Sequence, residues 1–271
     1  MHYQNQGENQ LLCLLQLASP ALPVGAYSYS EGIEVLVTTG KISDYDSLKN
    51  WLIDCLKFGS IRLEAGLIVR AYLETNSGNL QLLNNWNNWA TAVKETEELR
   101  LQSLQMGRTL IRLFTNIQPD LSTELMSFVQ KKLETETDFC NFAIAYGLIS
   151  ASSFVQKKLE TETDFCNFAI AYGLISASWQ IEIETAILGY LHSWATNLVN
   201  AGVKLIPLGQ TVGQKLLWEL QNQIVLSAKE ILKLKDDELN SCSWGLSLAS
   251  MAHEVHLAQT KKLREEFFSL R

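Results

Sequence analysis

Apolar residues recur at three- and four-residue spacing along almost the whole chain, and the alternating β-branched runs of strands are missing. Trp51, Ile53, Leu56 and Phe58 fit one helix; Leu99, Leu104, Leu110, Leu113 and Phe114 fit another. The pattern predicts helices near residues 10–18, 31–40, 44–59, 61–75, 79–92, 94–116, 120–133, 138–155, 164–179, 181–203, 211–235 and 243–268. This is an all-α fold, read as a single-domain helical bundle of about ten or more helices, with no linker that forces a boundary. Proline placement agrees: Pro20 and Pro23 fall early, Pro119 and Pro207 stand alone, and the stretches between suit helices. Ser28 followed by Glu31, and Thr211 followed by Gln214, read as capping boxes that satisfy orphan backbone amides. Asn76-Ser77-Gly78-Asn79 reads as a turn.

One stretch breaks the helical rhythm by repeating it. Ser127–Ser152 reads SFVQKKLETETDFCNFAIAYGLISAS, and Ser153–Ser178 reads the same, letter for letter. Two copies are too few for a solenoid, and nothing else repeats. Twenty-six added residues turn a helical face by about 80°, so the copies cannot extend one straight helix and bury the same side. The acidic ETETD is the expected break between helices. Identical copies compete for one core niche, and the surplus copy is expected to project as a helical segment.

Composition narrows the class. The chain has 271 residues, 47% of them hydrophobic, enough for a sizeable core. Net charge is −7 and no block of lysine and arginine appears, which argues against nucleic acid. Five cysteines, Cys13, Cys55, Cys140, Cys166 and Cys242, are odd in number and widely spaced, as reduced thiols of a cytoplasm are. The N-terminal MHYQNQGENQ lacks the cationic-then-apolar plan of a signal peptide. Uncharged runs at 139–156, 165–181 and 185–203 approach the ~20 residues of a membrane span. All carry Asn, Ser or Gln, so buried helices, and no membrane, are expected.

Three motifs invite chemistry. In HEVH, His253 and His256 share a helix face, but the zinc-protease pattern spaces its histidines one residue further apart, and no third ligand is evident. They are weak metal candidates. PLGQTVGQK, Pro207 to Lys215, lacks the glycine spacing, the following Ser or Thr and the preceding strand of a phosphate loop. It reads as a proline-broken loop before a helix. KETEELR, Lys94 to Arg100, reads as an ion-paired helix face. No set of nucleophile, base and oxyanion donors stands out, so the residues describe a protein that acts by contact and has no catalytic residues.

The stretch QLASPALPVGAYSYSEGIE, Gln16 to Glu34, holds more prolines, glycines and tyrosines than a connector needs. Pro23 and Gly25 suit a tight turn, and Tyr27 and Tyr29 offer rigid amphipathic contact area. It is similar to the N-terminal signature of the urease accessory protein UreF family. Three further stretches agree in order: Glu98-Leu99-Arg100 with Gly107-Arg108, AGVKLIPLGQTVGQ from Ala201 to Gln214, and MAHE from Met251 to Glu254.

The resemblance implies one UreF-like domain over residues 1–271: a cytoplasmic, non-catalytic homodimer without a tightly bound cofactor. It implies a protein that binds UreD (also called UreH) and the GTPase UreG and delivers nickel to apo-urease, the nickel being handled by the complex. On this chain the partner-binding residues implied are Pro23, Gly25, Tyr27, Ser28, Ser30, Glu31, Glu34, Lys204, Pro207, Gly209, Gln210, His253 and Glu254. Two features depart from the family: the second copy of the repeat, and a tail, residues 255–271, unlike the family's usual ending. The competing expectations are a nickel carrier using His253, Glu254 and His256, and an all-α enzyme with an unrecognised site.

Overall fold

In the computed structural model the described residues are 5–24, 32–94, 96–117 and 166–239, and no strand occurs among them. They form α1 (Asn5–Leu17), α2 (Ile33–Thr38), α3 (Tyr45–Phe58), α4 (Ser60–Ser77), α5 (Leu80–Ala92), α6 (Glu97–Ile117), α7 (Phe168–Ser178), α8 (Ile183–Leu205), α9 (Gln210–Ile231) and the short α10 (Asp236–Leu239). Each helix expected within these residues is present, and the expected helices at 120–133, 138–155 and 243–268 lie outside them. No described helix is long and apolar enough to cross a membrane.

Local side-chain chemistry sets several starts. Asp44 caps α3: its Oδ1 accepts the Ser47 N–H at 2.8 Å while Ser47 Oγ accepts the Asp44 N–H at 3.1 Å. Asn79 caps α5 by accepting the Leu82 N–H at 3.1 Å, so the predicted turn also starts a helix. Thr96 Oγ1 accepts the Leu99 N–H at 3.2 Å at the start of α6. The capping box expected at Thr211 and Gln214 is corrected. α9 starts one residue earlier, its N-cap is Gly209, and no side chain caps it. Gly209 takes φ 77°, ψ 154°, open to glycine and strained for other residues. The other expected box, Ser28 with Glu31, lies outside the described residues.

The described residues fall into two compact units. Those within Met1–Gly25 and Ala65–Gly189 form the first, and those within Ala26–Glu64 and Tyr190–Arg271 the second.

In the first unit α7 is the central element, with every residue from Ala169 to Ala177 buried. Its neighbours are cut to fit. A Cβ on Gly107 of α6 would overlap the Cys166 carbonyl oxygen, and one on Gly173 of α7 would lie 2.5 Å from that of Ile68. Glycine is needed at both points because main chain, which cannot rotate aside, occupies the space. A polar anchor fixes the start of α7. The Asn167 side-chain amide donates to the Asn87 carbonyl at 3.0 Å and to Thr91 Oγ1 at 2.8 Å, and Ser103 Oγ donates to Asn167 Oδ1 at 3.0 Å. The Asn167 N–H donates to Asn87 Oδ1 at 2.9 Å, so this buried node is held from α5 and α6 together. Beyond the C-terminus of α7, Trp179 packs on Phe114 at 5.8 Å between ring centroids, and Ile181 is buried.

Residues 166–178 belong to the second copy of the repeat, which therefore supplies the core helix. The first copy, 127–152, lies outside the described residues. The apolar face expected on α3 is shifted. Leu48, Leu52 and Leu56 are fully buried, Trp51 and Ile53 are half-buried, and Phe58 is 67% exposed. The seam follows strict i, i+4, i+8 spacing, and Phe58 falls off it at the helix end.

In the second unit that seam meets α8 and α9. A Cβ on Gly202 would lie 2.6 Å from Leu48 Cδ2, and Ser227 Oγ of α9 donates to the Leu56 carbonyl at 3.2 Å. Tyr190 Oη donates to Glu64 at 2.6 Å. Lys49 of α3 pairs with Glu219 of α9 at 2.5 Å, and Arg62 pairs with Glu230 at 2.9 Å.

Candidate partner-docking turn between α8 and α9

The chain Ala201–Gln214 divides its side chains by role. Gly202, Val203, Ile206 and Gly213 are buried, while Lys204, Leu205, Pro207, Gly209, Gln210 and Thr211 are exposed. The buried set closes the corner. Gly213 lets α9 approach α8 so closely that a Cβ there would meet Val203 Cγ2 at 2.8 Å. Ile206 donates its N–H to Gly202 O at 2.8 Å, and Leu208 donates to Ile206 O at 2.7 Å. Pro207, with no N–H to offer, ends α8. The outward set stands on a rigid base, and its exposed Lys204 adds a cation at the C-terminal end of α8, where the helix dipole favours it.

The implied partner-binding residues separate in the structure. Lys204, Pro207, Gly209 and Gln210 come together on this turn. Glu34 is exposed in the first turn of α2, in the same unit. Pro23 is exposed in the other unit, beside the buried Val24, in a tight bend where Val24 N–H reaches Leu22 O at 2.8 Å. Gly25, Tyr27, Ser28, Ser30, Glu31, His253, Glu254 and His256 lie outside the described residues, as does the tail 255–271. Among the described residues no cluster of three or more His, Cys, Asp or Glu could hold a metal ion. Cys13, Cys55 and Cys166 carry free thiols, and burial pushes those of Cys13 and Cys166 up, away from the reactive thiolate.

Sequence reasoning missed the charged lattice one turn further along α9. Lys49 and Lys215 both reach Glu219, and Lys215 sits 5.7 Å over the Tyr45 ring. The hydrogen bond from Lys49, foremost, holds the Glu219 carboxyl below its ordinary value of 4.5. Burial, then the neighbouring Glu219, push the Tyr45 phenol up to about 12. Lys49 and Tyr45 lie far from α9 in sequence, so no local signal announces their contacts with it. A carboxyl whose pKa is lowered on folding stabilises the fold above its unfolded pKa, and the gain is lost as pH falls through the folded value. Glu219→Gln is therefore expected to lower the thermal midpoint at pH 7, and the gap to the parent chain should narrow as pH falls below 4.5. A gap that does not change with pH would contradict the assignment.

Comparison with known proteins is consistent in direction. A family model described as UreF matches residues 42–221. The chain is similar to the protein named urease accessory protein UreF from Trichormus variabilis, at 48% identity over 92% of this chain and 93% of the relative. The corresponding protein of Microcystis aeruginosa is 44% identical over 93% of this chain and 97% of its own length. That of a Janthinobacterium species is 34% identical over 92% of this chain.

Proposed function

Because the chain belongs to the UreF family of urease accessory proteins, we propose that it is a scaffold that binds UreD and the GTPase UreG and so delivers nickel to apo-urease. An accessory protein of this family is not an enzyme. Its work in this reading is to hold partners in register, as a cytoplasmic homodimer made of one UreF-like domain. Nickel is cargo passed through the complex rather than a resident ion.

The observation that carries the reading is the α8–α9 turn. A glycine-packed corner presents Lys204, Pro207, Gly209 and Gln210 outward, with the side chains of Lys204 and Gln210 exposed. A loop built only to reverse the chain needs Pro207 and Gly209, and the two exposed polar side chains beside them suit recognition. Co-purification of the chain with UreD and UreG tests the assembly. Lys204→Ala is expected to weaken UreG recruitment while leaving the thermal midpoint within about 1 °C, because exposed substitutions barely touch stability. Unchanged UreG affinity in that variant would remove the turn from the docking surface.

A further inference from the structure

The turn leads directly into an unusual helix face. Leu216, Leu220, Ile224 and Ile231 complete the buried side of α9. The opposite side is exposed along its length and is mostly polar, with Thr211, Gln214, Lys215, Gln221, Asn222 and Lys229. Among these polar residues stand three large apolar ones: Trp218 is 72% exposed, Leu226 56% and Val225 39%. At 100° per residue, Thr211, Trp218, Val225 and Lys229 fall in one stripe that starts at the turn and runs about 27 Å along the axis. A tryptophan gains nothing from standing in water, and an isolated one would be ordinary. Here it heads an apolar row.

The charge along the stripe is one-sided. The chain carries a net −7, yet the face holds Lys215 and Lys229 and no carboxylate. Of the two carboxylates at its flank, Glu219 is engaged by Lys49 and by Lys215 of the face itself, and Glu230 by Arg62, which leaves Lys229 as the face's cation outside this lattice. We infer that the exposed face of α9 is a docking surface for a protein partner that offers an apolar pocket for Trp218, with a carboxylate at its rim for Lys229. A second copy of this chain fits poorly. Two such faces brought together would set Lys229 against a face of like charge and Trp218 against a convex helix that offers it no pocket. Aromatic anchors at the centre of a contact with charges at the rim are the usual division of labour at interfaces.

The inference rests on the reading that the α8–α9 turn recruits UreG, and extends that contact along the helix. UreG is the probe, titrated by calorimetry into the full chain and into Lys204→Ala, Trp218→Ala and Lys229→Glu. Trp218→Ala is expected to weaken binding about tenfold or more, and Lys229→Glu to weaken it and flatten its dependence on salt. Trp218→Ala should keep the parent's thermal midpoint, since the side chain is not buried, and Lys229→Glu should fall only slightly below it, by the lost cation in the last turn of α9. If the parent chain binds no UreG, the turn and the face both fall. If Lys204→Ala weakens binding but Trp218→Ala and Lys229→Glu leave it unchanged, the turn stands and the helix face is overturned. Vesicles of anionic phospholipid supply the last arm: binding of the parent chain to them that is lost in Trp218→Ala, with UreG affinity unaltered, assigns the face to a lipid surface and overturns the protein partner.

Discussion

Gly107→Ala is expected to lower stability by about 3 kcal/mol or more. A single methyl group is enough. The new Cβ would overlap the Cys166 carbonyl oxygen and lie 2.8 Å from the Asn167 carbonyl carbon, and neither can rotate away. Relief requires α6 and α7 to separate, and that opens the niche in which every residue from Ala169 to Ala177 is buried. Gly7→Ala makes a sharp contrast. Gly7 lies in α1 with nothing within 4 Å of its would-be Cβ, so the same change should stabilise by about 0.5–1 kcal/mol through helix propensity alone. Urea unfolding of both variants measures the two effects. A Gly107→Ala chain as stable as its parent would mean that α6 and α7 pack less closely than these distances require.

Asn167→Ala is expected to cost about 2–4 kcal/mol, and more than Asn141→Ala, the same change in the other copy of the repeat. Removing the Asn167 side chain takes one hydrogen bond each from Ser103, Thr91 and the Asn87 carbonyl, and each such bond is worth about 0.5–1.5 kcal/mol. The two copies are identical in sequence, so their own residues cannot prefer one to the other. Their C-terminal neighbours can. Only the second copy runs straight into Trp179 and Ile181, and those residues pack on Phe114 and in the core. A first copy seated in the niche would lead into Ser153-Phe154-Val155 and would give up that contact. Deleting 127–152 gives the same sequence as deleting 153–178, so the shortened chain keeps α7, its anchor and its continuation intact. That chain is expected to unfold at or above the parent's midpoint and to stay soluble at higher concentration. In it, Asn167 has no duplicate, so the cost of its loss should be at least as large. Equal costs for Asn141→Ala and Asn167→Ala, or an unfolded deletion variant, would show that both copies are integral.

The functional turn was partly readable. Pro207 and Gly209 mark a break between two periodic segments, and the resemblance of AGVKLIPLGQTVGQ points to it. The sequence does not say which letters face out. Gly202 and Gly213 look like further loop glycines, yet they lie within helices and serve helix packing. Trp218 looks like core, since it sits in the apolar run Leu216-Leu217-Trp218. It is outside because Leu216, Leu220 and Ile224 already fill the buried side of α9.

The amino-acid sequence by itself determined the helical class, the positions of the described helices to within a few residues, and the family. Each depends on short-range regularities: spacing of three and four, the turn at Asn76-Ser77-Gly78-Asn79, and breaks at Pro207 and Gly209. Only the tertiary structure decided which copy of the repeat supplies the core helix, where glycine is compulsory, and which large side chains stay in water. Those outcomes turn on contacts between residues far apart in the chain, such as Gly107 with Cys166 and Asn87 with Asn167. Two segments with the same letters have the same local propensities, and only the residues packed around and after them distinguish their fates.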